Sequence, residues 1–292
     1  MTGARYTLGG DEHLFVELSE SMSLRAFFRG ILITQQLTDR HLDGVTEICP
    51  ANASYQVRFD PDVIDVHRLQ GILEEIDAGI GEGHGALSTR ILEIPVLYDD
   101  PWTNETQMRF RDRHQDPNAT DLEYAARVNG YRDIDAFITA HSATPWFVSM
   151  VGFVAGLPFM YQMVERDKQI QVPKYLRPRT DTPPLTVGYG GCFSCIYSVR
   201  GAGGYQMFGV TPVPIYDPDQ HVKHLSEFMI LFRPGDVVKF RPVDRAEYDQ
   251  IVEAVEHNTF TLRSAPARFS LDDFEADHDG YPKTLLEALD AH

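Results

Sequence analysis

The sequence predicts an α+β protein, with a small α+β sandwich at its N-terminus and a β-rich domain, barrel or sandwich, behind it. Three features lead there. Before residue 80, four strand-like runs alternate with two amphipathic helices in the order β-β-α-β-β-α. A glycine-rich stretch, residues 78–90 (AGIGEGHGALSTR), then marks a natural boundary. From Trp146 onward, short β-rich runs separated by Gly and Pro turns dominate. The expected division is an α+β domain over 1–80, a linker over 81–90, a second domain over 91–263 and an acidic, peripheral tail over 264–292.

Residues 5–18 read as two strands around a turn at Gly9-Gly10-Asp11. Ser23 can cap a helix over about 24–40, with Leu24, Phe27, Phe28, Ile31, Leu32 and Gln35 on one face. Val45–Cys49 and Tyr55–Phe59 read as a strand pair across Pro50–Ser54. Asp62 to Ile76 is a second amphipathic helix, with Val66, Leu69, Ile72, Leu73 and Ile76 aligned. Strand signal returns at Ile91–Tyr98, and residues 101–119 (PWTNETQMRFRDRHQDPNA) read as a polar loop or lid. Two short helices follow, Asp121–Asn129 and Ile134–Ala140, the second leading to His141. Arg233-Pro234-Gly235-Asp236 is a turn before a strand at Val237–Phe240, and Ala246–Glu256 is an amphipathic helix.

Composition excludes several functions. A net charge of −17 argues against nucleic acid and anionic membranes as partners. Trp146 to Val164 is 19 residues without a charge, but Gly152, Gly156 and Pro158 break it, so it reads as two buried segments and not a span. The N-terminus has no secretory signal pattern, and 3 cysteines cannot all pair, which suits a reducing cytoplasm. Cys192 and Cys195 have CxxC spacing, with Cys49, His221 and His224 as further ligands on paper. Set among glycines and strand signal, they read as two ordinary buried thiols. No glycine-rich nucleotide loop follows a strand.

The chemistry concentrates between Pro173 and Pro212. Seven of the chain's 22 glycines lie from Gly188 to Gly209, far above the chain average, which points to tight turns or a ligand against bare backbone. Lys174, Arg177 and Arg179 precede them among prolines. Fixed cations beside free N–H groups can hold an anionic or carbonyl-bearing small molecule. The plain alternatives are a glycine-rich hairpin and surface salt bridges. His141, at a helix end, can move protons near neutrality, or can simply bond the last helix carbonyls.

Pro178-Arg179, Pro183, Val187-Gly188, Gly191, Ile196-Tyr197, Gly203-Gly204, Gly209 and Thr211-Pro212 resemble the signature of the allophanate hydrolase subunit 1 family, also described as carboxyltransferase subdomains C and D. Gly10-Asp11, Gly44-Val45, Phe59-Asp60-Pro61 and Pro234-Gly235-Asp236 extend the likeness over roughly residues 8–260, apart from 101–119. That family includes KipI-like kinase inhibitors, the B component of 5-oxoprolinase and half of the urea carboxylase carboxyltransferase domain. The resemblance implies that the second domain is a cyclophilin-like β-barrel. It implies a KipA-like (allophanate hydrolase subunit 2) partner, and a site acting on a small amide, urea or lactam. No cofactor would be bound by this chain alone, with ATP or biotin (as carboxybiotin) used in the complex.

By the same resemblance, His141 moves a proton on the amide nitrogen. Lys174, Arg177, Arg179, Gly190, Gly191, Tyr197, Gly203, Gly204 and Phe153 bind substrate. Several positions depart from the pattern. Ala155, Leu157 and Met160 replace Pro, Phe and Leu; Lys174 stands for Arg; Leu185 and Thr186 for Gly and Ser; Ala202 and Tyr205 for Pro and Trp; Val210 for Arg. The alternative to an enzyme component is a non-enzymatic KipI-like regulator docking on a kinase, and fold analogy alone suggests prolyl isomerisation.

Overall fold

The computed structural model describes residues 3–80 and 86–291. β1 (Arg5–Leu8) and β2 (His13–Glu17) form a hairpin. α1 (Leu24–Asp39) starts where the Ser23 hydroxyl accepts the Ala26 N–H at 3.3 Å. β3 (Val45–Pro50) and β4 (Ser54–Phe59) complete a sheet of order β1-β2-β4-β3. α2 (Val66–Ile80) begins four residues after the expected Asp62. Asp65, not Asp62, caps it, accepting the His67 and Arg68 N–H groups at 2.9 and 3.2 Å.

Leu14, Val16, Tyr55 and Val57, alternate residues of β2 and β4, form this core with Ile33, Leu37, Leu69 and Leu73. α1 buries more than the expected stripe: Ala26, Gly30 and Ile33 are covered too, while Gln35 is exposed. Ala26 and Ile33 pack into the same core as Leu14, Val16 and Tyr55, and Gly30 lies against Leu18 and Tyr55. From the far end of the chain Phe269 packs on Phe28, with centroids 5.5 Å apart and ring planes tilted by 58°. The expected tail is therefore built into the fold. β14 (Ser264–Ser270), α7 (Leu271–Ala276) and α8 (Tyr281–Leu286) bury Phe269, Leu271, Phe274 and Leu285. The chain divides into two compact units, Met1–Ser88 with Arg268–Asp277, and Thr89–Ala267 with His278–His292.

β5 (Ala86–Tyr98) starts inside the expected linker, whose residues 81–85 lie outside the described residues. The expected loop at 101–119 carries α3 (Pro101–Arg109) and a short helical turn at Arg111–Arg113. Asp100 caps α3 by accepting the Trp102 and Thr103 N–H groups at 3.0 and 2.9 Å, and Pro101 occupies the first turn. The segment is no lid: Thr103, Thr106, Gln107, Arg111 and His114 are all buried. α4 (Asp121–Val128), opened by a Thr120–Glu123 capping box, and α5 (Ile134–Ala143) follow.

β6 (Trp146–Val151), β7 (Pro158–Gln162), β9 (Thr186–Gly190), β10 (Phe193–Ile196), β12 (Gln206–Val210) and β13 (Val237–Pro242) join β5 and β14 in one sheet. β8 (Arg179–Thr182) and β11 (Gly201–Gly203) pair separately. Within the large sheet β12 pairs with β5 as well as β9, so the hydrogen-bonded strands close a ring: β5, β12, β9, β10, β7, β6, β13 and back to β5. One face of every ring strand builds the main core: Leu92, Ile94, Val96, Trp146, Val148, Met160, Val187, Tyr189, Ile196, Phe208, Val238 and Phe240. α6 (Arg245–Glu256) has no fully buried residue despite its amphipathic pattern. Among the described residues no helix is long and apolar enough to cross a membrane.

Candidate functional site

Strand alternation places a second, smaller apolar cluster on the other face of the ring. In β10, Ile196 faces the main core, so its neighbours Cys195 and Tyr197 point the opposite way. With Leu157 and Tyr205 they wall a cavity of about 230 Å³, completed by Phe153, Phe159, Lys174, Pro178, Gly203 and Gly204. The lining is mostly apolar and holds one cation and no carboxylate or histidine. The Lys174 ammonium lies 5.1 Å from the Tyr205 ring centroid, a cation–π distance.

Glycine is required here by space. A Cβ on Gly203 would meet Thr182 Oγ1 at 2.8 Å, and one on Gly188 would meet Tyr197 Cε2 at 2.9 Å. At Gly190 it would strike Tyr205 Cε1 at 2.6 Å, so Gly190 makes room for a cavity residue without lining the cavity. Gly191, at φ 65°, serves a turn and is also off the lining.

Behind the wall stands Arg179, with 0% of its surface exposed. It donates to the Tyr205 carbonyl at 2.7 Å and to Thr182 Oγ1 at 3.3 Å, and its guanidinium carbon sits 4.4 Å from the Tyr175 centroid. Its Nε has no partner, and among the described residues no carboxylate lies within ion-pair distance of it. Burial raises the Tyr197 phenol, with Arg179 opposing the shift, so the phenol stays a hydrogen-bond donor at neutral pH. Burial likewise raises the Cys195 thiol, which is no nucleophile there. The cavity can bind and polarise a carbonyl or carboxylate; its own lining brings neither base nor nucleophile.

The expected site is only partly brought together. Lys174, Tyr197, Gly203, Gly204 and Phe153 share the cavity, and Arg179 backs it. Arg177 is exposed and pairs with Asp112 at 3.1 Å, the plain salt bridge. His141 is the main correction. It lies in the last turn of α5, 0% exposed, and faces the opposite side of the strands, among Trp146, Tyr189, Phe208 and Phe240. Burial lowers its pKa to about 3. An imidazole enclosed by aromatic rings does not reach the cavity, so the shared pocket of His141 and Arg179 is not formed. Of the two thiols expected to be buried, Cys195 is and Cys192 is half exposed. Among the described residues no group of three His, Cys, Asp or Glu could hold a metal.

Sequence reasoning missed a buried polar network beside the cavity. The Asp121 carboxylate accepts from Arg111 at 2.6 Å, the Tyr175 hydroxyl at 2.8 Å and the Met207 N–H at 2.7 Å. The available signal was an Arg in the segment set aside as loop and an Asp ten residues on, at the first position of the expected helix.

The ring of strands thus carries the main core on one face and a small cation-bearing cavity on the other. The chain belongs to the carboxyltransferase domain, subdomain C and D family, whose model matches residues 4–226. It is 26% identical to the urea amidolyase of Lachancea kluyveri over 293 residues, covering 98% of this chain but 15% of that protein. It is 27% identical to the B component of 5-oxoprolinase from Bacillus subtilis over 251 residues, 82% of this chain and 92% of that protein. The crystal structure of the Kluyveromyces lactis urea amidolyase superposes with a TM-score of 0.82 at 23% identity, over 99% of this chain and 18% of that one. The chain thus spans less than a fifth of the urea amidolyases it matches and nearly all of the oxoprolinase component.

Proposed function

We propose that this chain is the substrate-holding subunit of a multi-component enzyme acting on a urea, amide or lactam, and that carboxyl transfer is its chemistry. Membership of the family and relatives that are enzyme subunits or modules support the first part. The match to urea amidolyase along 98% of the chain supports the second. The closed ring of strands supports reading the second domain as a cyclophilin-like β-barrel. The observation that carries the proposal is the cavity: a lysine and a guanidinium-backed phenol in the lining of an aromatic pocket that holds no carboxylate or histidine. Such a site orients a carbonyl and leaves proton transfer to another chain, for which a KipA-like partner is the candidate.

The donor set discriminates between cofactors. A triphosphate needs several cations and a metal, whereas one ammonium and one phenol suit a single carboxylate or ureido carbonyl on a flat body. Biotin, carried by another chain or domain, would supply an activated carboxyl group, with Lys174 and Tyr197 holding it. Three free cysteines fit assembly in a reducing cytoplasm.

The test is turnover of the chain co-purified with its KipA-like partner and a biotinylated carrier. Carboxyl transfer that avidin blocks and that Lys174→Met slows is the expected result. Lactam opening driven by ATP and indifferent to avidin would replace carboxyl transfer with hydrolysis. Full turnover in both Lys174→Met and Tyr197→Phe would remove the cavity from the site.

A further inference from the structure

The wall that carries Lys174 is held from outside the cavity by residues of the 107–121 segment. Pro173 has a carbonyl and no N–H, so its oxygen can only accept, and it accepts from Gln206 Nε2 at 2.7 Å. That bond fixes the orientation of the Gln206 amide. Its Oε1 then faces His114 Nε2 at 2.7 Å, which makes Nε2 the protonated nitrogen. The other ring nitrogen, Nδ1, stands 2.9 Å from both the Asp116 N–H and the Asp116 carbonyl, and in the neutral ring with its proton on Nε2 it accepts from the N–H. The orientation of the Gln206 amide and the protonation of His114 at Nε2 thus follow from one proline. Both His114 and Gln206 are fully buried, and the histidine ring is wedged edge-on between Tyr124 and Tyr175, with centroids at 4.8 and 4.7 Å.

The same turn grips the wall at three further points. Gln115 donates to the Lys174 carbonyl, Arg113 to the Pro178 carbonyl at 2.6 Å, and the Arg177 N–H to the Arg113 carbonyl at 3.3 Å. From the other side the Tyr175 N–H reaches the Gly204 carbonyl at 2.8 Å. Prolines at 173 and 178 lack the N–H groups a strand would use, so this stretch cannot be held by a sheet ladder. Side-chain bonds from the turn and two isolated backbone bonds take the place of the ladder.

We propose that Gln206, oriented by the Pro173 carbonyl and bonded to His114, and Gln115 are positioning residues that place the Lys174 ammonium against Tyr205 in the cavity. This rests on the cavity being the substrate site, but its geometric part can be read without any substrate. The chain has five lysines, so reductive methylation with labelled formaldehyde gives a short, assignable set of dimethyl-lysine NMR signals. Lys174, over the Tyr205 ring, is displaced by ring current from the exposed lysines, and Lys174→Arg identifies its signal.

In Gln206→Met, which keeps the volume and removes the donor, the signal moves to the position of the exposed lysines. In the assembled enzyme KM rises about fivefold with kcat little changed, as loss of one net hydrogen bond to the wall gives. Gln206→Met with the Lys174 signal in its wild-type place overturns the proposal. Should that variant lose its cooperative melt, Gln115→Ala, at a half-buried position, decides in the same way. A displaced signal with unaltered KM retains the positioning but overturns the cavity as the substrate site.

Discussion

The Tyr98 hydroxyl stands 2.8 Å from His141 Nδ1, and the other ring nitrogen, Nε2, has no partner. If Tyr98 donates, one N–H is left unpaired. If Nδ1 donates, both the phenol hydrogen and the Nε2 lone pair are stranded, so Tyr98 is the donor. The imidazole is therefore held neutral. Folding lowers its pKa to about 3, through burial first and the Lys239 charge second.

A stability prediction follows from that shift. An unfolded histidine titrates near 6.5, at about which pH the unfolded chain begins to take up a proton that the folded one refuses. Stability therefore falls as pH drops from about 6.5 toward about 3, by up to about 1.4 kcal/mol per pH unit from this residue. Urea melts at pH 7 and pH 5 should show a smaller pH difference in His141→Phe than in wild type. An equal difference in both would mean that the ring is not buried neutral. Buried His114 and half-buried His224, whose pKa values are also lowered, add to the slope in both proteins alike.

Asp121 tests the buried network directly. Its carboxylate is completely covered and is the ion-pair partner of buried Arg111 at 2.6 Å. Asp121→Asn keeps the shape but leaves the guanidinium without a counter-charge, at a cost of about 3–5 kcal/mol. Denaturant melts should show that loss, and Asp121→Asn together with Arg111→Met should recover part of it. Recovery fails if the two residues act independently.

Phe153 sits at the cavity with φ 73° and 75% of its surface exposed. A left-handed backbone costs a phenylalanine on the order of 1–3 kcal/mol, and an exposed ring gains little in return. Phe153→Gly removes the strain and adds chain entropy to the unfolded state, about 1 kcal/mol. Stability should thus be unchanged or higher, while KM of the assembled enzyme rises. Lower stability with unchanged KM would make the ring a structural residue.

The sequence made the N-terminal sandwich legible because its helices and strands are local and periodic; Ser23 and the Val45–Phe59 pair could be placed from spacing alone. What it hid were matters of side and distance. His141 lies five residues from Trp146, yet which face of a strand ring it meets depends on pairings such as Tyr189 with Ser194, set by residues far along the chain. Asp100 and Pro101 were a readable helix start obscured by the polar residues behind them. Leu185, where the family pattern has glycine, turns out to lie at φ 63°, a backbone state that explains the family's choice and not this chain's. The cavity departures were legible as changes, and three of them, Leu157, Lys174 and Tyr205, prove to line the same space.

Arg179 separates binding from stability. Unlike Arg111 it is buried without a carboxylate, and a charge so placed is a burden on the free protein. Arg179→Met removes that burden and strands the Tyr205 carbonyl, a penalty of about 1–3 kcal/mol, so the net change in melting should stay within about 2 kcal/mol. Activity of the assembled enzyme should fall at least tenfold, because Tyr197 loses the cation behind its hydroxyl. The Lys variant should recover little, since a lysine cannot reach Tyr205 and Thr182 together as a fork does. An Arg179→Met protein that unfolds readily but turns over normally when folded would reduce this guanidinium to a structural tie between β8 and the Tyr205 backbone.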